Sequence, residues 1–185
     1  MKKAVLLSIR PRWCAKIKSG EKTIEVRKTC PQIDPPFKCY IYMTHGDERA
    51  GNENYSYVRK GNGPGKVIGE FICKILTELD VDSVGVGIRV GEQFAYLNEF
   101  NHWETCLSRE EVLDYAGGER IYGWHISNLV IYDKPKELRE FKRWNRTEEN
   151  VPCAHTKGLY PPCENCTECN LTRPPRSFCY VEELE

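Results

Sequence analysis

The sequence has no net charge, no internal repeat, no run of like charges and no long apolar stretch, and each absence removes a class of protein. Lys and Arg number 27, Asp and Glu also 27, in 185 residues. A chain that coats nucleic acid indiscriminately through an overall positive field is therefore excluded, and any site for a polyanion must be local. No segment approaches the roughly 20 apolar residues that span a bilayer. Residues 1–8 are too short and too weakly apolar for a secretory signal, so the expected location is the cytoplasm, with no membrane partner. A hydrophobic content of 40% suits one or two compact domains with a real core.

What the sequence does have is cysteine, ten in all, in two populations. Cys14, Cys30, Cys39, Cys73, Cys106 and Cys179 stand singly in apolar or amphipathic segments, where a reduced thiol behaves as a small buried hydrophobe. Cys153, Cys163, Cys166 and Cys169 form a cluster with His155, in a stretch with almost no apolar material. That is not the spacing of a secreted disulfide scaffold. Charge is also uneven. Residues 1–30 carry nine Lys or Arg against Glu21 and Glu25, and residues 134–146 carry six against Glu137 and Glu140. Residues 91–119 carry seven acidic residues against Arg109. If the two basic segments meet, they make a positive face.

Periodicity places the elements. Residues 4–9 read as a strand, and Pro11 starts an amphipathic helix that Gly20 ends, with Trp13 and Ile17 on one face. In residues 22–28, Ile24 and Val26 alternate with Thr23, Glu25 and Arg27, the pattern of a strand with one face in the core. Residues 38–44 and 66–77 are strands, joined by a polar, glycine-rich connection over 45–65 whose length points to function or mobility. Residues 108–118 are the clearest helix: Ser108 and Glu111 make a capping box, Leu107 and Val112 a hydrophobic staple, and Gly117-Gly118 a stop. Residues 123–132 are a strand ended at Lys134-Pro135, and residues 177–181 a final one. About six strands and two helices with short connections predict an α+β fold, a small mixed, mostly antiparallel β-barrel with flanking helices. The organisation is a main domain over 1–144, a Cys-rich insertion over 145–172, and a returning strand over 173–185.

One short segment carries the chemistry. Gly20-Glu21-Lys22-Thr23-Ile24-Glu25-Val26-Arg27 sets a cation, an anion and a cation at the start of a strand, with Glu25 and Arg27 on one face about 7 Å apart. Lysine offers a point charge or, if desolvated, a base; glutamate accepts hydrogen bonds from amino groups; arginine forks onto carboxylate or phosphate. The plainer reading is an exposed ion pair worth about 0–1 kcal/mol. Two flanking cations hold a glutamate ionised, so the trio suits binding better than acid–base work.

These residues resemble a family. Gly20-x-Lys22-x-x-Glu25-x-Arg27, preceded by Leu7-Ser8-Ile9-Arg10-Pro11, is similar to the ASCH domain of the PUA-like superfamily. So are Tyr122-Gly-Trp-His-Ile-Ser127, Tyr132-Asp-Lys-Pro-Lys136 and Arg173-Pro-Pro-Arg-Ser-Phe-Cys-Tyr-Val181, over roughly residues 3–144 and 171–184. The resemblance implies a cleft beside the first helix lined by Lys22, Glu25 and Arg27, and a role in recognising RNA or a modified base. Some members of the family are amidohydrolases of N-acylated cytidine and others ribonucleases. Lys22 matches the catalytic lysine of the amidohydrolases, but their threonine nucleophile falls at Glu25, and Thr23 lies two residues too early. Lys22 and Glu25 are the catalytic candidates if there is catalysis.

Unstacked bases pack on aromatic faces and Arg planes, which adds Trp13, Tyr40, Tyr42, Tyr55, Tyr57 and Trp124 as candidates, with core packing the alternative for Trp13, Tyr40 and Trp124. The candidate binding set is Lys22, Glu25, Arg27, Arg10, Trp13, Tyr57 and Arg59; His45 and His125 read as structural or exposed. In the insertion, Cys163, Cys166 and Cys169 with Cys153 or His155 as fourth ligand fit a structural zinc ion, whose binding would supply folding free energy that the missing core cannot. An iron–sulfur cluster or a reduced loop is the alternative. Three functions follow: a reader of RNA or a nucleotide, a hydrolase of a modified nucleoside or of RNA, and a protein-interaction module acting through the zinc loop.

Overall fold

The computed structural model describes residues 2–45, 63–81, 86–90, 93–96, 102–144 and 170–184. Its elements, in chain order, are β1 (Lys3–Ile9), α1 (Pro11–Ser19), β2 (Ile24–Arg27), β3 (Phe37–Met43), β4 (Lys66–Val81), β5 (Val86–Val90), β6 (Gln93–Tyr96), α2 (His102–Thr105), α3 (Arg109–Ala116), β7 (Ile121–Glu137) and β8 (Phe178–Glu182). The strands hydrogen-bond in the order β2-β7-β4-β3-β1-β8, with β5 on β4 and β6 on β5. β1 runs parallel to β3 and antiparallel to β8, so the sheet is mixed and the fold α+β as expected. The path has two ends, β2 and β8. The expected closure into a barrel is not seen among the described residues, where β2 is a four-residue strand that pairs through β7 alone.

Two compact units divide the chain. The first comprises Met1–Pro11, Lys38–Glu70 and Ile131–Glu185, the second Arg12–Phe37 and Phe71–Val130. In the first, β1 is flanked on both sides and is buried from Ala4 to Ile9, which is why it reads as a near-continuous apolar run rather than an alternation. Ala4, Leu6, Tyr40, Tyr42, Val67, Leu138, Phe141, Leu171 and Val181 form its core. Tyr40 and Phe141 meet edge to face at 4.9 Å.

The second unit has its own core of Val26, Leu79, Leu107, Val112, Ala116 and Ile121, against which Trp13 and Leu113 pack. Helix α3 supplies Val112 and Ala116 of this core and the flanking Leu113, and forms as its caps dictate. The Ser108 hydroxyl accepts from Glu111 N–H, the Glu111 carboxylate accepts from Ser108 N–H at 2.9 Å, and Gly117 ends the helix in the left-handed conformation at φ 62°. Gly123 of β7 eases close packing, because a Cβ there would lie 3.0 Å from Ile24 Cγ2 on the neighbouring strand and that side chain would have to shift.

Four local expectations change. β7 does not stop at Pro135 but runs to Glu137. β2 covers β7 only over residues 122–125, so the later half of β7 is an edge among the described residues, where a proline without an N–H costs no ladder bond. The β5–β6 hairpin and the single-turn helix α2 are additions to the six strands and two helices read from periodicity. β2 was expected to be half-buried, yet all four of its residues are buried. Cys30 was grouped with the buried cysteines but is exposed, lying in the turn after β2. Among the described residues no helix is long and apolar enough to cross a membrane. Removing the α3 cap with Ser108→Ala should lower unfolding free energy by about 1 kcal/mol in urea denaturation; no change in the midpoint would show that the capping box does not hold this helix.

Candidate functional site

Lys22, Glu25 and Arg27 meet in the second unit. Glu25 and Arg27 project from one face of β2, and the Arg27 Nη2 lies 3.0 Å from Glu25 Oε1. Lys22, three residues before Glu25, brings its Nζ to 3.4 Å from Oε2. Each carboxylate oxygen thus faces its own cation. The strand geometry that permits this is held from both sides: Thr23 N–H donates to Glu104 C=O at 2.8 Å, and Ile126 N–H donates to Thr23 C=O at 2.8 Å.

The trio is not the exposed ion pair of the plainer reading. Lys22 is 2% exposed, Glu25 5% and Arg27 8%. Charges this buried need several partners, since desolvation costs several kcal/mol per ion. Lys22 finds one that the sequence did not announce: its Nζ donates to the main-chain carbonyl of Thr105 at 2.6 Å, across a separation of 83 residues. Thr105 ends α2 and is itself buried. Its hydroxyl accepts from Leu107 N–H at 3.3 Å, and between them Cys106 adopts a positive φ of 56°. This turn aims the carbonyl at the lysine. No local pattern in an acidic stretch with a single helical turn could have pointed to it.

Burial pushes the Lys22 amine below its ordinary value, with the neighbouring Glu25 carboxylate opposing. Cys14, beneath the same face, has its thiol pushed far up, first by burial and then by Glu25; it is a packing residue and not a nucleophile. Above Lys22 lies Trp13, its ring centroid 5.1 Å from Nζ. Arg12, half-exposed, stands 4.2 Å from the same ring and 3.9 Å from Glu111. A partly exposed indole thus lies close to both a buried ammonium and a surface guanidinium.

The remaining candidates separate. Arg10 is exposed and belongs to the first unit. Tyr40, Tyr42 and Trp124 are core: Tyr40 OH accepts from Leu184 N–H at 2.8 Å, and Trp124 meets Phe37 edge to face at 5.7 Å. His125 Nε2 is 2.7 Å from Thr77 Oγ1, and burial lowers its pKa against the opposing pull of Glu104, which suits a neutral structural imidazole. Tyr55, Tyr57, Arg59, Cys153, His155, Cys163, Cys166 and Cys169 lie outside the described residues.

Because Lys22 gives up its proton more readily folded than unfolded, the unfolded chain binds more protons between the two pKa values, and stability gained from this group rises with pH through that window. The difference in thermal midpoint between wild type and Lys22→Met should therefore shift in favour of wild type from neutral pH toward pH 10. A pH-independent difference would mean that Lys22 titrates as a free lysine does.

No protein-family model matches the sequence, and no curated protein matches it. Solved structures do. The chain is similar to the ASCH protein of Zymomonas mobilis, with 16% identity, a TM-score of 0.55, and coverage of 97% of this chain and 88% of that one. Two single-substitution variants of the same protein, a tyrosine-to-phenylalanine and a serine-to-alanine change, match with 16% identity and TM-scores of 0.54. The family resemblance read in the motifs is thus met at the level of the fold.

Proposed function

We propose, from the ASCH fold that this chain carries, that the protein binds RNA or a nucleotide at the site built from Lys22, Glu25, Arg27 and Trp13. The observation that carries this reading is the buried trio: two cations flanking one carboxylate, with a lysine whose pKa is driven down by burial. A buried ion cluster is often no more stabilising than hydrophobic residues of similar volume, and perturbed charges of this kind concentrate where a protein works. The two cations exceed the one carboxylate between them, which favours an anionic group on the ligand. The Trp13 ring with Arg12 beside it offers a face for a base. Arg10, Tyr57 and Arg59 complete the proposed set, and a cytoplasmic location suits such a ligand.

A hydrolase is the second reading, and the depressed Lys22 amine favours it. Against it stands the engagement of both Glu25 oxygens by cations, which makes that residue a counter-ion rather than a base. Titration with nucleotides and short single-stranded RNAs, with products followed by chromatography, separates the two. Binding should weaken at least tenfold in Lys22→Met with no product formed. Turnover of an N-acylated cytidine or an RNA that vanishes in Glu25→Gln would establish the enzyme instead, and undiminished binding in Lys22→Met would remove this site from the reading.

The Cys-rich insertion we assign to a structural zinc ion, held by Cys163, Cys166 and Cys169 with Cys153 or His155. The support is the ligand spacing together with the way the flanking chain is tied. Lys142 and Asn170 pair antiparallel, and Leu171 N–H donates to Phe141 C=O at 2.8 Å, so the segment between them starts and ends at one place. A loop closed at its base loses less entropy on ordering around a metal. Such a module also offers a surface for a protein partner. Purified protein should hold about one zinc per chain by atomic emission, falling well below half in Cys163→Ser. A metal-free wild type would sink the assignment.

A further inference from the structure

The last carbonyls of a helix have no N–H farther along the same helix to accept from. α2 is a single turn, and the two residues before β2 meet two of its carbonyls. Thr23 N–H donates to Glu104 C=O at 2.8 Å, and Lys22 Nζ donates to Thr105 C=O at 2.6 Å. Successive carbonyls at one helix end are thus engaged by successive residues, one through the main chain and the other through an ammonium. The main-chain end of Lys22 is held as well, since its N–H donates at 3.0 Å to the carbonyl of Lys16 in the last turn of α1.

The direction of the Thr105 carbonyl is set by the turn that follows it. Cys106 stands at φ 56°, a left-handed conformation that costs most residues with a Cβ and that glycine and asparagine adopt more readily. Thr105, 1% exposed, closes the turn by accepting from Leu107 N–H through its hydroxyl at 3.3 Å. Leu107 belongs to the core of this unit. A left-handed cysteine is therefore held between a buried threonine and a core leucine, and the outcome is a carbonyl directed at one lysine.

We propose that the turn Thr105–Cys106–Leu107 is a positioning element of the Lys22 site: by setting the Thr105 carbonyl, it fixes the Lys22 ammonium in the place where it meets an anionic group of the ligand. This rests on the reading of Lys22 as a ligand-binding cation, and Thr105 and Cys106 act through Lys22 rather than on the ligand. Burial works against a charge at this depth, whereas a hydrogen bond to the charged form works for it. Glu25 serves Arg27 as well as Lys22, so the carbonyl is a second acceptor that holds the amine in its charged form. The charged and titratable groups acting on Lys22 are Glu25 and Arg27 of β2 and Cys106 itself. From α1 comes the Trp13 ring, and Glu104 of α2 acts on His125 of β7.

The test follows the Lys22 side chain by heteronuclear NMR in the ligand-free full-length protein, its signal identified by its loss in Lys22→Met. Binding of cytidine 5′-monophosphate and of a short single-stranded RNA is measured across the same pH range. Thr105→Val removes the hydroxyl and keeps the shape, and Cys106→Val sets a β-branched residue at positive φ. In each, the Lys22 titration midpoint should fall by about one pH unit, and the alkaline limit of binding should fall with it. Thr105→Ser keeps the hydroxyl, and Cys106→Gly and Cys106→Asn keep the turn; all three should titrate and bind as wild type. A lower thermal midpoint in the valine variants with the Lys22 titration unmoved means a role in stability alone and overturns the proposal. So does a Cys106→Gly protein that titrates like Cys106→Val, since the thiol and not the turn would then act on Lys22. Either valine variant that folds decides; if neither does, a scalar coupling in wild type between Lys22 Nζ and the Thr105 carbonyl carbon supports the proposal and its absence overturns it. Undiminished binding in Lys22→Met, or none in wild type, removes the reading of the site and this inference with it. Binding lost in Lys22→Met beside valine variants that titrate and bind as wild type removes this inference alone.

Discussion

A carboxylate buried between an ammonium and a guanidinium sets the terms for the second unit. At 5% exposure Glu25 has Arg27 on one oxygen and Lys22 on the other, and breaking a buried pair of this kind costs about 3–5 kcal/mol by stranding the remaining charge. The strand that presents it is therefore allowed one register. A one-residue slip of β2 against β7 would exchange Glu25 and Arg27 with Ile24 and Val26, placing charges among Leu79, Val112 and Ile121 and removing Val26 from that core. The main-chain bonds from Thr23 and Ile126, the missing Cβ at Gly123 and the Thr105 carbonyl on Lys22 all enforce that register.

A second lysine shows that burial and partners, rather than residue type, decide what such a group can do. Lys38, in the first unit, lies 3.1 Å from Glu70 and 3.2 Å from Glu183, with its side chain 19% exposed. Burial works against its charge there too, but two carboxylates outweigh it and the amine rises above its ordinary value. Glu70 also accepts from Tyr132 OH at 2.5 Å, and burial with that bond drives the phenol pKa up. Lys38 is locked in a satisfied network that ties the C-terminal strand's end to β3 and β4. Lys22 has one carboxylate, shared with an arginine, and ten times less exposure than the side chain of Lys38. The first arrangement raises a lysine's pKa and ties strands together; the second leaves burial dominant, so the Lys22 amine lies below its ordinary value.

Much of the architecture was legible because it rests on contacts between near neighbours. The α3 cap was readable from Ser108 and Glu111, three residues apart, and the α1 start from Pro11. The alternation of Ile24, Glu25, Val26 and Arg27 correctly put the two charged residues on one face. Where prediction failed, the deciding neighbour was remote. Nothing local says that β2 pairs with β7 only over residues 122–125 while β7 itself runs on through Pro135 to Glu137. The β5–β6 hairpin was legible but unread, since Val86, Ile88 and Val90 alternate along β5, whereas α2 is a single turn.

From its sequence alone this chain determines that Lys22, Glu25 and Arg27 share a strand start, that Phe178 and Tyr180 share a face two residues apart, and that four cysteines cluster in a stretch of sequence poor in apolar residues. These are consequences of chain geometry at separations of two or three residues, which every strand obeys. Only tertiary structure decided that the trio lies buried rather than in solvent, that Trp13 covers it while Trp124 serves the core, and that Lys22 is held by a carbonyl 83 residues away. Burial is a property of what packs above a face, and a main-chain carbonyl carries no side-chain signature, so neither leaves a mark in the sequence that a local reading can find.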